Sequence, residues 1–224
     1  MAAGRARLAG VDVRCFTVGP VAENCYLVRE SSAPGARALL VDPGDEPDRL
    51  AQAIDSLQAR VEAILITHCH FDHIGAVAPM ARKTGAPVWV PAGEQHVLAD
   101  INSYVPWPGF GPFESWQAEH TVVGGERLEL AGLTIEVIAT PGHSPAHVSY
   151  WIADELALFS GDVLFRGSVG RTDLPGADWN TLLASIRALL DRLPGETVVY
   201  PGHMGITTLE RERLTNPFLA EIAR

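Results

Sequence analysis

The sequence predicts an α/β fold in one domain spanning residues 1–224, and three observations predict it. Strand-like and helix-like segments interleave from end to end, no linker divides the chain, and several apolar strands stop abruptly at a turn that presents a polar residue. A chain of 224 residues can hold one sizeable core or two small ones, and nothing in its composition argues for the second arrangement.

Val11–Val18 and Asn24–Arg29 have β-rich character, split by Gly19-Pro20. Ser31 to Gly35 is a turn signal, and Ala36–Val41 is a buried-looking strand ending in Asp42-Pro43-Gly44-Asp45. Asp48 to Arg60 has helical spacing, with Leu50, Ile54 and Leu57 on one face. The apolar run Val61–Ile66 is a strand that ends at Thr67-His68. Ile74 to Thr84 reads as a helix closed by Gly85, and Pro87–Val90 as the strand after it. From Asn102 to Gln117 the aromatic residues Tyr104, Trp107, Phe110, Phe113 and Trp116 stand among prolines and glycines, which predicts a long loop. Leu128–Leu130, Leu133–Ala139 and His147–Ile152 form a meander, and Glu155–Phe159 is a strand stopping at Ser160-Gly161-Asp162. Trp179–Leu193 is an amphipathic helix, and Thr197–Tyr200 is the last strand, before Pro201-Gly202-His203.

The formal net charge is −10 and Lys83 is the sole lysine. Such a surface repels nucleic-acid backbones and anionic membranes, and no run of basic residues offsets it. Neither is expected as a partner. Met1 to Gly10 carries two arginines without the apolar stretch of a signal peptide, and no segment has the apolar length needed to cross a bilayer. Cys15, Cys25 and Cys69 are an odd, scattered set, so a reducing, cytoplasmic setting is expected.

Four segments share one design, an apolar strand ending in a tight turn that presents a metal-ligand side chain. They are Leu65-Ile66-Thr67-His68, Ala139-Thr140-Pro141-Gly142-His143, Phe159-Ser160-Gly161-Asp162 and Val199-Tyr200-Pro201-Gly202-His203. Ligands at strand ends are held by the sheet while their heads stay at an open edge, and a glycine before the ligand permits the turn that aims it. Within His68-Cys69-His70-Phe71-Asp72-His73, residues two apart face the same way, so His68 and His70 can grip one ion. Asp72 and His73 follow after a turn and face a second; His143 would complete one set, His203 the other, with Asp162 as the natural bridge. Imidazoles with carboxylates suit zinc, and also iron or manganese; the absence of cysteine from the set disfavours a closed structural site. Two divalent ions so held leave room for a bridging hydroxide, the nucleophile a hydrolase needs near neutral pH.

With these residues in hand, the chain resembles the metallo-β-lactamase superfamily, whose hallmark stands here as Thr67-His68-Cys69-His70-Phe71-Asp72-His73. The likeness runs from Asn24-Cys25-Tyr26-Leu27-Val28 and Val41-Asp42-Pro43-Gly44 to Asn216-Pro217-Phe218. It is strongest to the short bacterial glyoxalase II subgroup, through Thr140 to Pro145, Phe159 to Asp162 and Gly170-Arg171-Thr172-Asp173-Leu174-Pro175-Gly176. The resemblance implies an αββα sandwich with the metals at the shared edge of two sheets. It implies His68, His70 and His143 on the first metal, Asp72, His73 and His203 on the second, and Asp162 bridging. It also implies hydrolysis of a small thioester of the hydroxyacylglutathione type, with Asp72 or Asp162 orienting the nucleophile or accepting its proton. Two departures bear on the substrate. The longer glyoxalase II enzymes have a basic C-terminal helical region that this chain stops short of, and the loop after the last ligand is His203-Met204-Gly205-Ile206 in place of the family's usual His-Gly-Pro.

Rival activities share the fold. An aspartate at the Asp162 position argues against lactam cleavage, and His70 argues against the flavodiiron branch, which has glutamate there. A lactonase, or a persulfide dioxygenase with a single iron, remains an alternative. Asp42 can be a turn residue before Pro43-Gly44 or can steady a ligand by hydrogen bonding. The aromatic loop can line the substrate cleft or pack against the body. Cys69 is expected to be a buried filler, His147 to lie near the site without being a ligand, and His96 and His120 to be ordinary surface residues.

Overall fold

In the computed structural model, which describes residues 10–220, the first strands form a hairpin across Gly19-Pro20: β1 (Asp12–Val18) pairs antiparallel with β2 (Glu23–Arg29). The reading of the N-terminus as leaderless falls, Gly10 apart, outside the described residues. β2 pairs with β3 (Arg37–Val41), and the chain then crosses over through α1 (Pro47–Ser56) to β4 (Arg60–Leu65), parallel to β3. The short α2 (Phe71–Ile74) and α3 (Val77–Thr84) lead to β5 (Val88–Pro91). α4 (Gln95–Ala99) and the long loop then lead to β6 (His120–Val122), and β4, β5 and β6 run parallel.

The second sheet begins with the meander β7 (Arg127–Leu130), β8 (Leu133–Ala139), β9 (Val148–Ile152) and β10 (Ala157–Gly161). A small hairpin, β11 (Leu164–Phe165) with β12 (Ser168–Val169), stands apart. After α5 (Trp179–Arg192), β13 (Val198–Pro201) pairs parallel with β10, and β14 (Thr207–Thr208) closes that edge before α6 (Leu209–Thr215).

Period-2 alternation sorts the apolar residues into layers. Tyr26, Val28, Leu39, Val41 and Leu65 meet Val137, Val148, Tyr150 and Phe159 between the sheets. The opposite face of the first sheet, with Leu27, Leu40 and Ile64, packs on Leu50, Ile54, Val77 and Met80 of α1 and α3. The outer face of the second packs Leu158 and Val199 against Leu182, Ile186, Leu189 and Leu190 of α5. This is the αββα sandwich the resemblance implies. Because helices cover the outer face, β2 is buried along its full length, as a strand covered on both faces must be.

Two helix boundaries differ from the sequence reading. The helix expected over Asp48 to Arg60 stops at Ser56, because Gln58 turns left-handed (φ 49°) and Arg60 already belongs to β4. The helix expected from Ile74 begins at Val77, because the chain breaks at Gly75-Ala76, where the Ala76 N–H donates to Pro43 O (2.9 Å). The four residues before the break form α2, a helix of their own that carries Asp72 and His73. The short elements α4, β6, β11, β12, β14 and α6 carry too little pattern to be read from sequence. No helix of the described residues is long and apolar enough to cross a membrane.

The outer hairpin holds a buried ion pair. The Arg29 guanidinium donates twice to Asp12 Oδ2, at 2.9 and 2.6 Å, and its own side chain is almost wholly buried. Burial alone would raise the Asp12 carboxyl, but hydrogen bonds from Arg14 and Arg29 outweigh it and hold it below the usual range. A carboxyl lowered on folding stabilises the fold above its unfolded value, about pH 4, and that contribution is lost as the pH falls through the folded value. Asp12→Asn should therefore lower the melting temperature at pH 7, with the gap to the parent closing below about pH 4. A gap constant from pH 7 to pH 3 would assign the effect to something other than this pair.

Candidate metal centre

The ligand-bearing segments meet where strands of both sheets end. β4 leads to His68, β10 to Asp162 and β13 to His203, all beyond carboxyl ends of parallel strands, where open α/β sheets form their clefts. His143 arrives from the loop after β8, while His70 is the extended residue before α2. Cross-sheet hydrogen bonds hold this edge. Tyr150 Oη donates to Ile66 O (2.9 Å) and the Val148 N–H to Thr67 O (2.9 Å). From β2, Tyr26 Oη donates to Pro201 O (2.7 Å), and Asn24 Nδ2 reaches Pro201 O and Met204 O. The Asn24-Cys25-Tyr26 signature therefore latches the strand that carries His203.

All seven residues singled out in the sequence come together. The ligand atoms of His68, His70 and His143 lie within 4.8 Å of one another, as do those of Asp72, His73 and His203, and those of His68, His73 and Asp162. In the first cluster His70 Nδ1 is 3.1 Å from His68 Nε2 and 2.9 Å from His143 Nε2. The neighbours of each ring decide what those atoms are. His143 Nδ1 donates to Arg171 O (2.8 Å), so its Nε2 carries a lone pair. Thr67 Oγ1 donates to Asp42 Oδ2 (2.6 Å) and so accepts from His68 Nδ1 (3.1 Å), which leaves the His68 Nε2 lone pair facing the same point. Two lone pairs face one ring nitrogen, and a single N–H on His70 can be directed well at only one of them, whereas a cation among the three nitrogens satisfies all. Nitrogens about 2 Å from a tetrahedral metal lie roughly 3.3 Å apart, close to the spacing seen. Burial, then His73, His70 and His143, push His68 well down, and burial with His143 pushes His70 down to about 4. The His68 and His70 rings are thereby held in the neutral form that binds metal.

Asp162 stands between the clusters. Its Oδ2 is 3.3 Å from His143 Nε2 and 3.5 Å from His203 Nε2, and its Oδ1 is 3.4 Å from His73 Nε2. His203 Nε2 is also 3.3 Å from Asp72 Oδ2. His73 Nδ1 donates to Asp42 (3.1 Å), so its Nε2 points inward, and His73 Nε2 and Asp162 Oδ1 are both buried without a hydrogen-bond partner. Burial would lower His73, but the Asp162 and Asp72 carboxylates raise it well above the imidazole range; burial would raise Asp162, but His73 and His203 hold it far down. The centre thus draws positive charge to the point these atoms face. Orphaned buried donors and acceptors, a set of imidazoles and carboxylates, and converging lone pairs fit divalent metal.

Asp42 holds the geometry on both sides. Its carboxylate accepts from the Thr67 N–H (2.8 Å), from Thr67 Oγ1 and from His73 Nδ1, so it sets the tautomers of His68 and His73 together. It does so from a left-handed backbone (φ 48°), so the turn and the ligand-steadying readings hold at once. The expected role of the glycines needs one correction. Gly142 and Gly161 do adopt positive φ, but Gly202 does not; there a Cβ would lie 2.3 Å from Asp162 Oδ1, so that glycine serves close approach.

The remaining histidines behave as expected. His147 Nε2 accepts the Asp162 N–H (3.1 Å) and its Nδ1 bonds Thr140 Oγ1 (2.9 Å), which leaves no nitrogen for a metal. His96 and His120 are exposed, and Cys69 is buried. Sequence reasoning missed two buried acids. Glu94 accepts from the Cys69 N–H, Ser144 Oγ and the Ala146 N–H. Glu23, fully buried, lies 3.8 Å from His73 Nδ1 with both oxygens unpartnered. In sequence each is a lone acid beside a turn, with no spacing to mark it.

A cavity of about 250 Å³ opens over the cluster, floored by His70, Asp72, His143, Asp162 and His203. Its walls are Val21, Phe71, Tyr104, Pro106, Trp107, Leu174 and Pro175, with Arg171 at the rim. The aromatic loop divides its labour. Tyr104 and Trp107 line the cleft, while Phe110, Phe113 and Trp116, partly buried, pack against the core, with Phe110 4.9 Å from the Phe71 ring. Arg171 pairs with Asp173 through two 2.6 Å contacts and lies over Trp107.

Comparison with known proteins agrees with this geometry. The family model of the metallo-beta-lactamase superfamily matches residues 18–203. Hydroxyacylglutathione hydrolase GloC of Haemophilus influenzae is 32% identical over 222 residues, covering 93% of this chain and 98% of its own. The solved structure of BLEG-1, a B3 metallo-beta-lactamase, is similar with a TM-score of 0.87 and 38% identity, over 93% of this chain and 100% of its own. TTHA1623, solved in a di-iron-bound form, has a TM-score of 0.75 and 41% identity, over 92% and 100%.

Proposed function

Because this chain belongs to the metallo-beta-lactamase superfamily, we propose that it is a metal-dependent hydrolase cleaving a thioester of the hydroxyacylglutathione type. In this reading His68, His70 and His143 hold one divalent cation, Asp72, His73 and His203 hold a second, and Asp162 reaches both. The observation that carries it is Asp162, whose two oxygens face His73, His143 and His203 at 3.3–3.5 Å. Imidazole with carboxylate suits zinc first; the similarity to a di-iron protein keeps iron in view, and manganese fits the same donors.

Two such cations would polarise the thioester carbonyl and lower the pKa of water toward neutrality. The chain supplies the rest. Asp72 or Asp162 orients the attacking water or takes its proton, since both residues line the cleft. Phe71, Tyr104 and Trp107 hold the apolar parts of the substrate and shield the reacting carbonyl from bulk water. As the water oxygen bonds to the carbonyl carbon, the C–S bond breaks and the sulfur leaves as thiolate. The carboxylate that took the water's proton returns it to the thiolate, so the products are a carboxylic acid and a thiol. The similarity to GloC over 93% of the chain supports a glutathione carrier, and a small-molecule partner in the cytoplasm belongs to the same proposal.

A second reading, lactam cleavage, is favoured by the likeness to BLEG-1 and opposed by the aspartate at position 162. Metal analysis of the purified protein beside assays on lactoylglutathione, other thioesters, a lactone and a β-lactam separates them. The expected result is two metal equivalents, with kcat/KM for a thioester at least about tenfold above the others. One iron with oxygen consumption on glutathione persulfide would replace hydrolysis by dioxygenation. Two metals without thioester turnover would leave the lactonase or the lactamase.

A further inference from the structure

Glu94 closes a short turn after β5, a strand that itself contributes no residue to the cluster. Its side chain is buried, and both oxygens are fully engaged. Oε2 accepts the Cys69 N–H at 2.7 Å; Oε1 accepts Ser144 Oγ at 2.6 Å and the Ala146 N–H at 3.0 Å. Cys69 is the residue between His68 and His70, and Ser144 is the residue after His143. One carboxylate therefore ties the loop that follows β4, in the first sheet, to the loop that follows β8, in the second. Those two loops supply all three histidines of the first cluster. The approach is close enough that a Cβ at Gly93 would stand 2.8 Å from Ala146 Cβ, so the neighbouring glycine lets the second loop reach the acid.

We propose that Glu94 is a positioning residue for the three-histidine site, holding the His68-Cys69-His70 and His143 loops in ligand register across the sheet boundary. The inference rests on the ligand reading given under Proposed function. Charge-assisted hydrogen bonds to a buried carboxylate are the strong ones, and three from two loops leave neither loop free to drift. Glutamine at this position keeps the shape but turns an N–H₂ toward donors, so at least one of the three contacts is lost and the loops separate.

The test is chelator competition against the zinc-loaded protein for the parent, Glu94→Gln and Ser144→Ala, resolved into two dissociation steps, with melting temperature and kinetics recorded alongside. In Glu94→Gln one step should weaken by about ten- to a hundredfold while the other stays within about twofold. Its kcat should fall at limiting zinc and recover in excess zinc, with KM unmoved. Ser144→Ala should shift the same step by less, and it carries the test if Glu94→Gln does not fold. Both steps unchanged, or both weakened together with the melting temperature, would reduce Glu94 to a contact of the fold and overturn the proposal. A parent holding fewer than two ions overturns the ligand reading itself, which is seen before any variant is compared.

Discussion

Asp162→Asn should cost about a thousandfold or more in kcat/KM and leave fewer than two metal equivalents bound, with the far-ultraviolet circular dichroism of the parent retained. The fold survives because Asp162 is held through its backbone N–H, by His147 Nε2, and that bond does not depend on the side chain. The centre does not survive, because one carboxylate oxygen faces His73 while the other faces His143 and His203, and asparagine offers one neutral acceptor in their place. Losing one metal's share of transition-state charge stabilisation is worth several kcal/mol, and each 1.36 kcal/mol is tenfold in rate. Parental metal content with parental turnover in this variant would remove Asp162 from the mechanism.

Gly44→Ala should destabilise the protein by at least about 3 kcal/mol, the upper end of ordinary overpacking, or prevent folding altogether. A Cβ there would lie 1.5 Å from Asp72 O and 2.6 Å from the same carbonyl carbon, with Glu23 Oε2 at 2.7 Å. The obstruction is backbone of the short helix carrying Asp72 and His73, so no rotamer change relieves it. Either α2 shifts, displacing two residues of the second cluster, or the Pro43-Gly44 turn shifts and takes Asp42 from Thr67 and His73. The denaturation midpoint and the metal content should therefore fall together. An alanine variant with the parental midpoint would show that the turn and the helix are not locked.

How far each of these features was legible follows from how local its physics is. The run from His68 to His73 and the three strand-end ligands could be read because strand, turn and ligand adjoin in sequence, and the alternation that pairs His68 with His70 is a two-residue property. The layers of the sandwich were implied by the resemblance alone, since the alternation along one strand does not say which sheet it will face. The boundary at Gly75-Ala76 could not be read, since it is imposed by Pro43 and Gly44, some thirty residues away, at a place where Ile74 to Thr84 continues a helical pattern. Glu94 and Glu23 were invisible for the same reason. The donors to Glu94, and the His73 ring beside Glu23, come from distant segments, and a lone acid beside a turn reads as surface. The aromatic loop shows a third case: its composition marked it as unusual, but which rings face the cleft depends on where Phe71 sits.

The sequence by itself determined an α/β chain of interleaved strands and helices, the inventory of seven candidate ligands and the attachment of four of them to strand ends, because periodicity and turn chemistry act over a few residues. The αββα layering was implied by the family resemblance. Only the tertiary structure decided which nitrogen of each histidine faces inward, that Asp42 serves both clusters, that His147 holds Asp162 through its backbone, and that Tyr104 and Trp107 wall the cleft. Those are contacts between segments far apart in the chain, made where two sheets end together, and no local pattern encodes where a second strand's edge will stand.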